Sequence, residues 1–271
     1  MINVLGKILL VVFAVIIIGP LLIVVFTMFK TTPEFYANPM GLPSSFSMHN
    51  IETLFTRQPM WTYFKNSVIV TLTSVLLVLL LAGSISYAIM RYGKHAVGGI
   101  LFSLFAIGLM VPSQVNMIPI YSMLQRLGWT NSHMGLILVT VSVLLPLSVF
   151  MLTGFMKTLP KEILEAGEID GAGEYRLLAR IVFPLCAPYL AATSAFLFVI
   201  VWNDLLFPML LLVGKDKLTL PLALLQFRGE YMTDYPLLMT GVLVTALPMI
   251  LLFIFLQRYF ITGALAGSLK G

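Results

Sequence analysis

Leu159–Pro188 reads L-P-K-E-I-L-E-A-G-E-I-D-G-A-G-E-Y-R-L-L-A-R-I-V-F-P-L-C-A-P. It is the densest run of charge in a very apolar chain, with five carboxylates (Glu162, Glu165, Glu168, Asp170, Glu174) and four nearby bases (Lys157, Lys161, Arg176, Arg180). A lipid-embedded segment cannot carry them, so this island lies in water between two membrane spans. Its local chemistry predicts helix, stop, helix. Thr158 is placed to cap, and Pro160 sits where a first helical turn tolerates it. Glu162 falls in that first turn, where negative charge suits the macrodipole. Glu162, Glu165 and Glu168 recur every third residue and share one side. Ile163, Ala166 and Gly167 follow i, i+3, i+4 and form a narrow, small-residue side. Gly171 is positioned to end the helix with a positive φ. A second short helix is expected through Glu174, with Arg176 and Arg180 toward its end, and Pro184 marks the return to the membrane. Two readings stay open on these residues alone: a solvated loop between spans, or a helix with a flat Ala/Gly face and an acidic rim that docks into a groove on another protein.

Outward from the island, the composition sets the class. The chain has 271 residues, 59% hydrophobic and 10% charged, with a mean hydropathy of +1.01. Soluble domains carry about 25% charged residues, so this is a polytopic membrane protein. A net charge of +5 is spread along the chain with no basic block, which argues against nucleic acid as a partner. The single Cys186 excludes an internal disulfide and reads as a small packing residue. The first apolar run is too long for a signal-peptide core and reads as a retained anchor.

A membrane helix needs about 20 apolar residues, and six such spans can be drawn. They fall near 8–29, 66–90, 98–118, 134–156, 185–212 and 236–259, with Pro112 and Pro119 bending the stretch around the third. An even number places both termini on one side, together with the charged island. The connectors 30–65 and 213–235 then lie on the other face. Lys and Arg lean slightly toward the terminal face, which favours termini in the cytoplasm. The connector 31–64, rich in Pro, Asn, Ser and aromatics, is too polar to span and is expected to fold over the outer face.

Catalytic chemistry finds little support. There is no Walker A pattern, so ATP is not bound through a P-loop. His49, His95 and His133 sit in three different connectors, a poor start for a metal site. No nucleophile elbow is present. The informative polar group is Trp202-Asn203-Asp204, placed inside the fifth span. An ionisable group there faces a cavity or a partner, or belongs to a buried structural pair. Gln114 and Asn116 are open to two readings, helix–helix hydrogen bonding in the membrane or contact with a solute.

One spacing narrows the choice. Glu165-Ala166-Gly167, three residues, Gly171, nine residues, then Ile181-Val182-Phe183-Pro184 resembles the EAA loop of bacterial ABC importer permeases: E-A-A, three residues, G, nine residues, I-x-L-P. Gly167 replaces the second Ala, and Phe183 replaces the Leu. The run V-W-N-D-L-L-F-P at 201–208 resembles the W-N-D-F-x-x-P stretch of the sugar-type branch that includes the maltose permease pair. M-V-P-S-Q-V-N-M-I-P-I-Y at 110–121, G-E-Y-M-T-D-Y at 229–235 and the ending Q-R-Y-F-I-T-G-A-L-A-G-S-L-K-G resemble it too. The resemblance implies an all-α membrane protein of about six transmembrane helices with the type I, MetI-like permease fold. It implies one permease domain over 1–271, an extracytoplasmic connector at 31–64 and a cytoplasmic coupling loop at 157–184. Glu162, Glu165, Ala166, Gly167, Asp170 and Gly171 would couple to an ATPase, and Trp202, Asn203, Asp204, Gln114 and Asn116 would line a sugar path, where polyols want aromatic faces and amide or carboxylate edges. The implied partners are the lipid bilayer, a second permease subunit in a heterodimer, two cytoplasmic ATPases that hold ATP and Mg, and an extracytoplasmic substrate-binding protein. This chain would bind no cofactor or metal, catalyse nothing, and sit in the bacterial cytoplasmic membrane. Two alternatives are a permease of the same kind for a non-sugar solute such as glycerol phosphate, and an ion-coupled secondary transporter with Asp204 as the coupling carboxylate.

Overall fold

A computed structural model describes residues 4–93, 96–227 and 233–268, with side chains at all of these except Leu5 and those after Phe255. His95 and the G-E-Y-M of 229–232 lie outside the described residues. Among those described, every regular element is helical. Among the described residues four helices are long and apolar enough to cross a membrane, and the number rises to six if each of two bent pairs is one span. The chain divides into two compact units, one comprising the chain to Phe64 with Thr219–Pro248, the other Lys65–Leu218 with the chain from Met249.

In the first unit, α1 (Val4–Thr27) is an apolar rod with its side chains largely exposed, as expected of a lipid-facing span. The polar connector after it is folded. Lys30, just past the expected end of the first span, is 1% exposed, and its ammonium donates to the carbonyls of Asn38 at 2.9 Å and Pro39 at 3.1 Å. Those bonds are what make a buried ammonium tolerable. A capping box between Thr31 and Glu34 starts α2 (Thr32–Ala37). The Ser44 amide, foremost, holds the Glu34 carboxyl below the usual carboxylate range. The Asn50 amide, in α3 (His49–Arg57), donates back to the carbonyls of Met28 and Lys30 at 2.7 and 2.8 Å. α4 (Met60–Arg91) starts within the connector, six residues before the expected span at 66.

In the second unit, α7 (His133–Met156) is the central helix. It packs against α5 (Ala96–Met110), α11 (Ala187–Trp202) and α12 (Leu206–Leu211). Pro146 sits inside α7, which a membrane helix accommodates when neighbours pack around the freed backbone group. Gly108 of α5 meets it there: a Cβ at Gly108 would lie 3.2 Å from the Pro146 ring. The Ser86 hydroxyl of α4 donates to the Val149 carbonyl at 3.1 Å.

The third and fifth expected spans are corrected. The third, expected near 98–118, does not continue past Met110. Pro112 removes an N–H and drives Val111 out of the helical region, so the chain breaks there and bends by 85° into a segment made of a 3-10 turn at Ser113–Asn116 and α6 (Met117–Arg126). The fifth, expected at 185–212, is two helices entered at a sharp bend. α9 (Glu174–Leu177), a π turn (Leu178–Val182) and α10 (Phe183–Leu185) meet α11 at 76°, and α11 ends at Trp202 before α12 begins. Asn203 and Asp204 therefore occupy a break between helices, not the middle of one. α13 (Leu220–Leu224) and α14 (Tyr235–Ser268) complete the chain, α14 running past the expected end at 259.

At the far end of α7 from the island, Asn131 holds φ +53 and accepts the N–H groups of Val213 and Gly214 at 3.1 and 3.0 Å. Asn66 donates to the carbonyls of Asp216 and Leu218, both at 2.9 Å. His133 bonds the Lys217 carbonyl at 2.9 Å, so its role here is to pin this turn.

Candidate coupling and translocation sites

The charged island folds into a helix clamped on one side. α8 (Lys161–Ile169) starts at Pro160. Thr158, expected to cap it, does not: its hydroxyl donates back to the Phe155 carbonyl at 2.7 Å and belongs to the end of α7. Pro160 takes the N-cap place because its ψ of 131° is extended and its ring holds φ near −60°. The stop is as expected. Gly171 has φ +77, its N–H donates to the Glu168 carbonyl and the Ala172 N–H to that of Gly167, both at 2.9 Å. That is a Schellman closure, which satisfies two carbonyls that would otherwise be orphaned.

Leu164 and Gly167 form the buried face of α8. Leu164 joins Tyr87, Met156, Leu177, Val182 and Cys186 in one apolar cluster at this end of α4 and α7. Gly167, expected on the docking side, faces inward instead. A Cβ there would lie 2.7 Å from Leu177 Cδ2 and 2.8 Å from Ile181 Cδ1, so its small size serves the approach of α8 to the next helix. The outward stripe is Glu162, Glu165, Ala166 and Ile169, at i, i+3, i+4, i+7. Ile169 is 87% exposed and Tyr175, just past the turn, 84%. Sequence reasoning missed both; the signal was that a face opposite Leu164–Gly167 must point outward.

It also missed a polar junction. Arg91, in the last turn of α4, pairs with Glu168 of α8 and, through Nε at 3.0 Å, with Glu174 of α9. The Tyr87 hydroxyl donates to Glu174 as well. Glu168, expected on an acidic rim, is thus engaged by Arg91. Part-exposed ion pairs contribute about 0.2–1 kcal/mol each, whereas burying a Leu side chain contributes about 1.5–3 kcal/mol. The apolar cluster is therefore what keeps α8 on the bundle.

At the break after α11, Asp204 and Gln114 line one cavity of about 220 Å³ together with Ser113, Thr140, Val201 and Phe207. The Asp204 carboxylate accepts the Leu206 N–H at 3.1 Å, which starts α12. Three of the five expected path residues do not line this cavity. Trp202 is 2% exposed and stacks on Phe198 at 5.4 Å. Asn203 turns its amide back to the Val199 carbonyl at 2.8 Å, and Asn116 is exposed outside the cavity. Asn203 thus closes the C-terminal turn of α11, a local use that competes with ligand contact. Among the described residues no group of three or more His, Cys, Asp or Glu is placed to hold a metal ion.

Comparison with known proteins gives consistent matches. The family described as "Binding-protein-dependent transport system inner membrane component" matches residues 79–263. The arabinooligosaccharides transport system permease protein AraQ of Halalkalibacterium halodurans is 34% identical over 262 residues, 95% of this chain and 93% of that protein. The diacetylchitobiose uptake system permease protein DasC of Streptomyces coelicolor is 35% identical over 250 residues, 90% and 89% of the two chains. A chain from a bacterial ABC transporter involved in the import of the acidic polysaccharide alginate superposes with a TM-score of 0.82 over 95% of this chain and 96% of its own; at 18% identity it shows a shared fold.

Proposed function

Since the chain belongs to the family of binding-protein-dependent transport system inner membrane components, we propose that it is the permease subunit that carries a carbohydrate across the cytoplasmic membrane for an ABC importer. The observation that carries this reading is the outward stripe of α8, anchored from behind and at the E-A-G…G…I-V-F-P register. Such a helix suits docking on a cytoplasmic ATPase. Glu162, Glu165 and Ala166 make the contact, Asp170 and Gly171 shape the end of the helix, and Gly167 sets its seat. ATP and Mg belong to that ATPase, and this chain holds no cofactor of its own. The whole chain forms one permease domain, with the connector at 31–64 outside, the coupling loop at 157–184 inside and both termini in the cytoplasm. A second permease subunit, different from this one, completes the path, and a substrate-binding protein delivers the solute from outside.

The sugar class is supported by the names of relatives that match nearly the full chain, arabinooligosaccharide and diacetylchitobiose permeases among them. The cavity chemistry agrees. A carboxylate, an amide and two hydroxyls (Asp204, Gln114, Ser113, Thr140) on an apolar wall suit the hydroxyls of a polyol. A carboxylate there is a poor neighbour for a phosphate ester such as glycerol phosphate.

The test is uptake of a panel of labelled mono- and oligosaccharides by the assembled importer in vesicles. Uptake of at least one carbohydrate is expected, strictly dependent on ATP and on the ATPase. Uptake that persists without the ATPase and collapses with the proton gradient would establish an ion-coupled transporter instead.

A further inference from the structure

The end of α4 grips both helices of the coupling loop. Arg91 and Tyr87 are one turn apart, so they act from one face of α4. The guanidinium holds Glu168 on α8 and Glu174 on α9, and the Tyr87 hydroxyl holds Glu174 again. That hydroxyl first, and Arg91 second, keep the Glu174 carboxyl below the usual carboxylate range. The two carboxylates flank the turn at Gly171, so Arg91 staples the loop across its own stop.

The apolar cluster behind α8 outweighs these part-exposed ion pairs in holding power. It is, however, non-directional, and a helix can tilt or slide on such a surface. A planar guanidinium that grips two carboxylates cannot accommodate that slide without breaking a charge-assisted hydrogen bond. What Arg91 adds is angle, not adhesion.

The geometry points to Arg91 as a positioning residue for transport: it locks α8 to the end of α4, so that movement of the docked helix passes into that span and is not lost as slip in the loop. This rests on the docking reading of α8 and supplies the transmitting contact. Tyr87 orients Glu174 for the same grip.

The test uses the assembled importer with its ATPase, in a background with Cys186 replaced. Arg91→Glu should assemble and hydrolyse ATP, while solute moved per ATP falls by about tenfold, the scale of a lost coupling free energy. A second variant, Arg91→Cys with Glu168→Cys, should be equally slack until the two thiols are bridged by a reversible bifunctional methanethiosulfonate. Bridging should restore coupling, and a reducing agent should remove it again. A purely structural role would not give that reversible rescue. The inference is overturned if solute per ATP in Arg91→Glu stays within about twofold of the unaltered protein. It is also overturned if the bridge fails to restore coupling, or if both variants lose the ATPase from the complex. Glu165→Lys, run alongside, separates the two levels. If it keeps its ATPase and its transport, the docking reading falls; if it loses them while Arg91→Glu stays coupled, only the role of Arg91 falls.

Discussion

Glu165→Lys is expected to abolish uptake while leaving the amount of protein in the membrane close to normal. Glu165 is exposed and, among the described residues, takes part in none of the hydrogen bonds or ion pairs that hold α8. Exposed positions without such partners tolerate substitution within about 0.5 kcal/mol, so the fold should not notice. The docking partner should. The residue lies in the outward stripe with Glu162, Ala166 and Ile169, and reversing its sign places a cation where a partner's groove is built for an anion, a mismatch that costs several kcal/mol at an interface. The measurements are uptake, membrane level by immunoblot, and retention of the ATPase on purification. Normal uptake in this variant would remove α8 as the docking element.

Asp204→Ala should lower uptake by about ten- to a hundredfold, the effect of losing a hydrogen-bond partner worth about 1–3 kcal/mol to a bound polyol. ATPase activity and assembly should survive, because the cavity is remote in sequence from α8 and shares no residue with the cluster behind it. The risk lies in the second task of Asp204, which starts α12 by accepting the Leu206 N–H. Asp204→Asn keeps an acceptor for that bond and changes the group offered to the solute. Reduced uptake in both variants with intact assembly supports a path residue. Loss of assembled protein in Asp204→Ala with full uptake in Asp204→Asn would make Asp204 a structural cap.

The charged loop at 157–184 is the most legible part of the chain. Its signals are local: charge excludes lipid, Gly171 supplies the positive φ, and the register from Glu165 to Pro184 is long enough to be specific. What was not legible there depends on distant residues. Arg91 lies far along the chain from Glu168 and Glu174, so periodicity could not show that two of the acids were already engaged. Gly167 faces inward: a small residue serves equally for docking outward and for close packing inward, and only the positions of Leu177 and Ile181 decide between them. Thr158 departs from its expected capping role because a hydroxyl can bond backward to the preceding turn as readily as forward.

In the spans, hydropathy located the apolar runs but not their breaks. Pro112 was noted as a bend and proved to be a full break, since the residue before it also leaves the helical region. The apolar run continues through W-N-D, so hydropathy alone puts it inside a span. The structure ends α11 at Trp202, where two polar side chains in succession find backbone partners of their own. Of the five residues expected on the path, Gln114 and Asp204 share the cavity and Trp202, Asn203 and Asn116 do not; that difference follows from the helix breaks on either side, which the apolar pattern does not mark.

In the proposed importer α8 faces the cytoplasm and is covered there by an ATPase. Single cysteines at Lys161, at Ser45 in the long connector and at Ser268 near the end of the chain, with the buried native Cys186 replaced, report it directly. Lys161 and Ser45 are both exposed. With an impermeant thiol reagent on intact cells, or on spheroplasts where an outer envelope intervenes, only Ser45→Cys should react. Lys161→Cys and Ser268→Cys should react once the membrane is opened, and Lys161→Cys more slowly when the ATPase is bound. Labelling of Lys161→Cys from outside would contradict the account, because it would place the coupling helix where no ATPase can reach it.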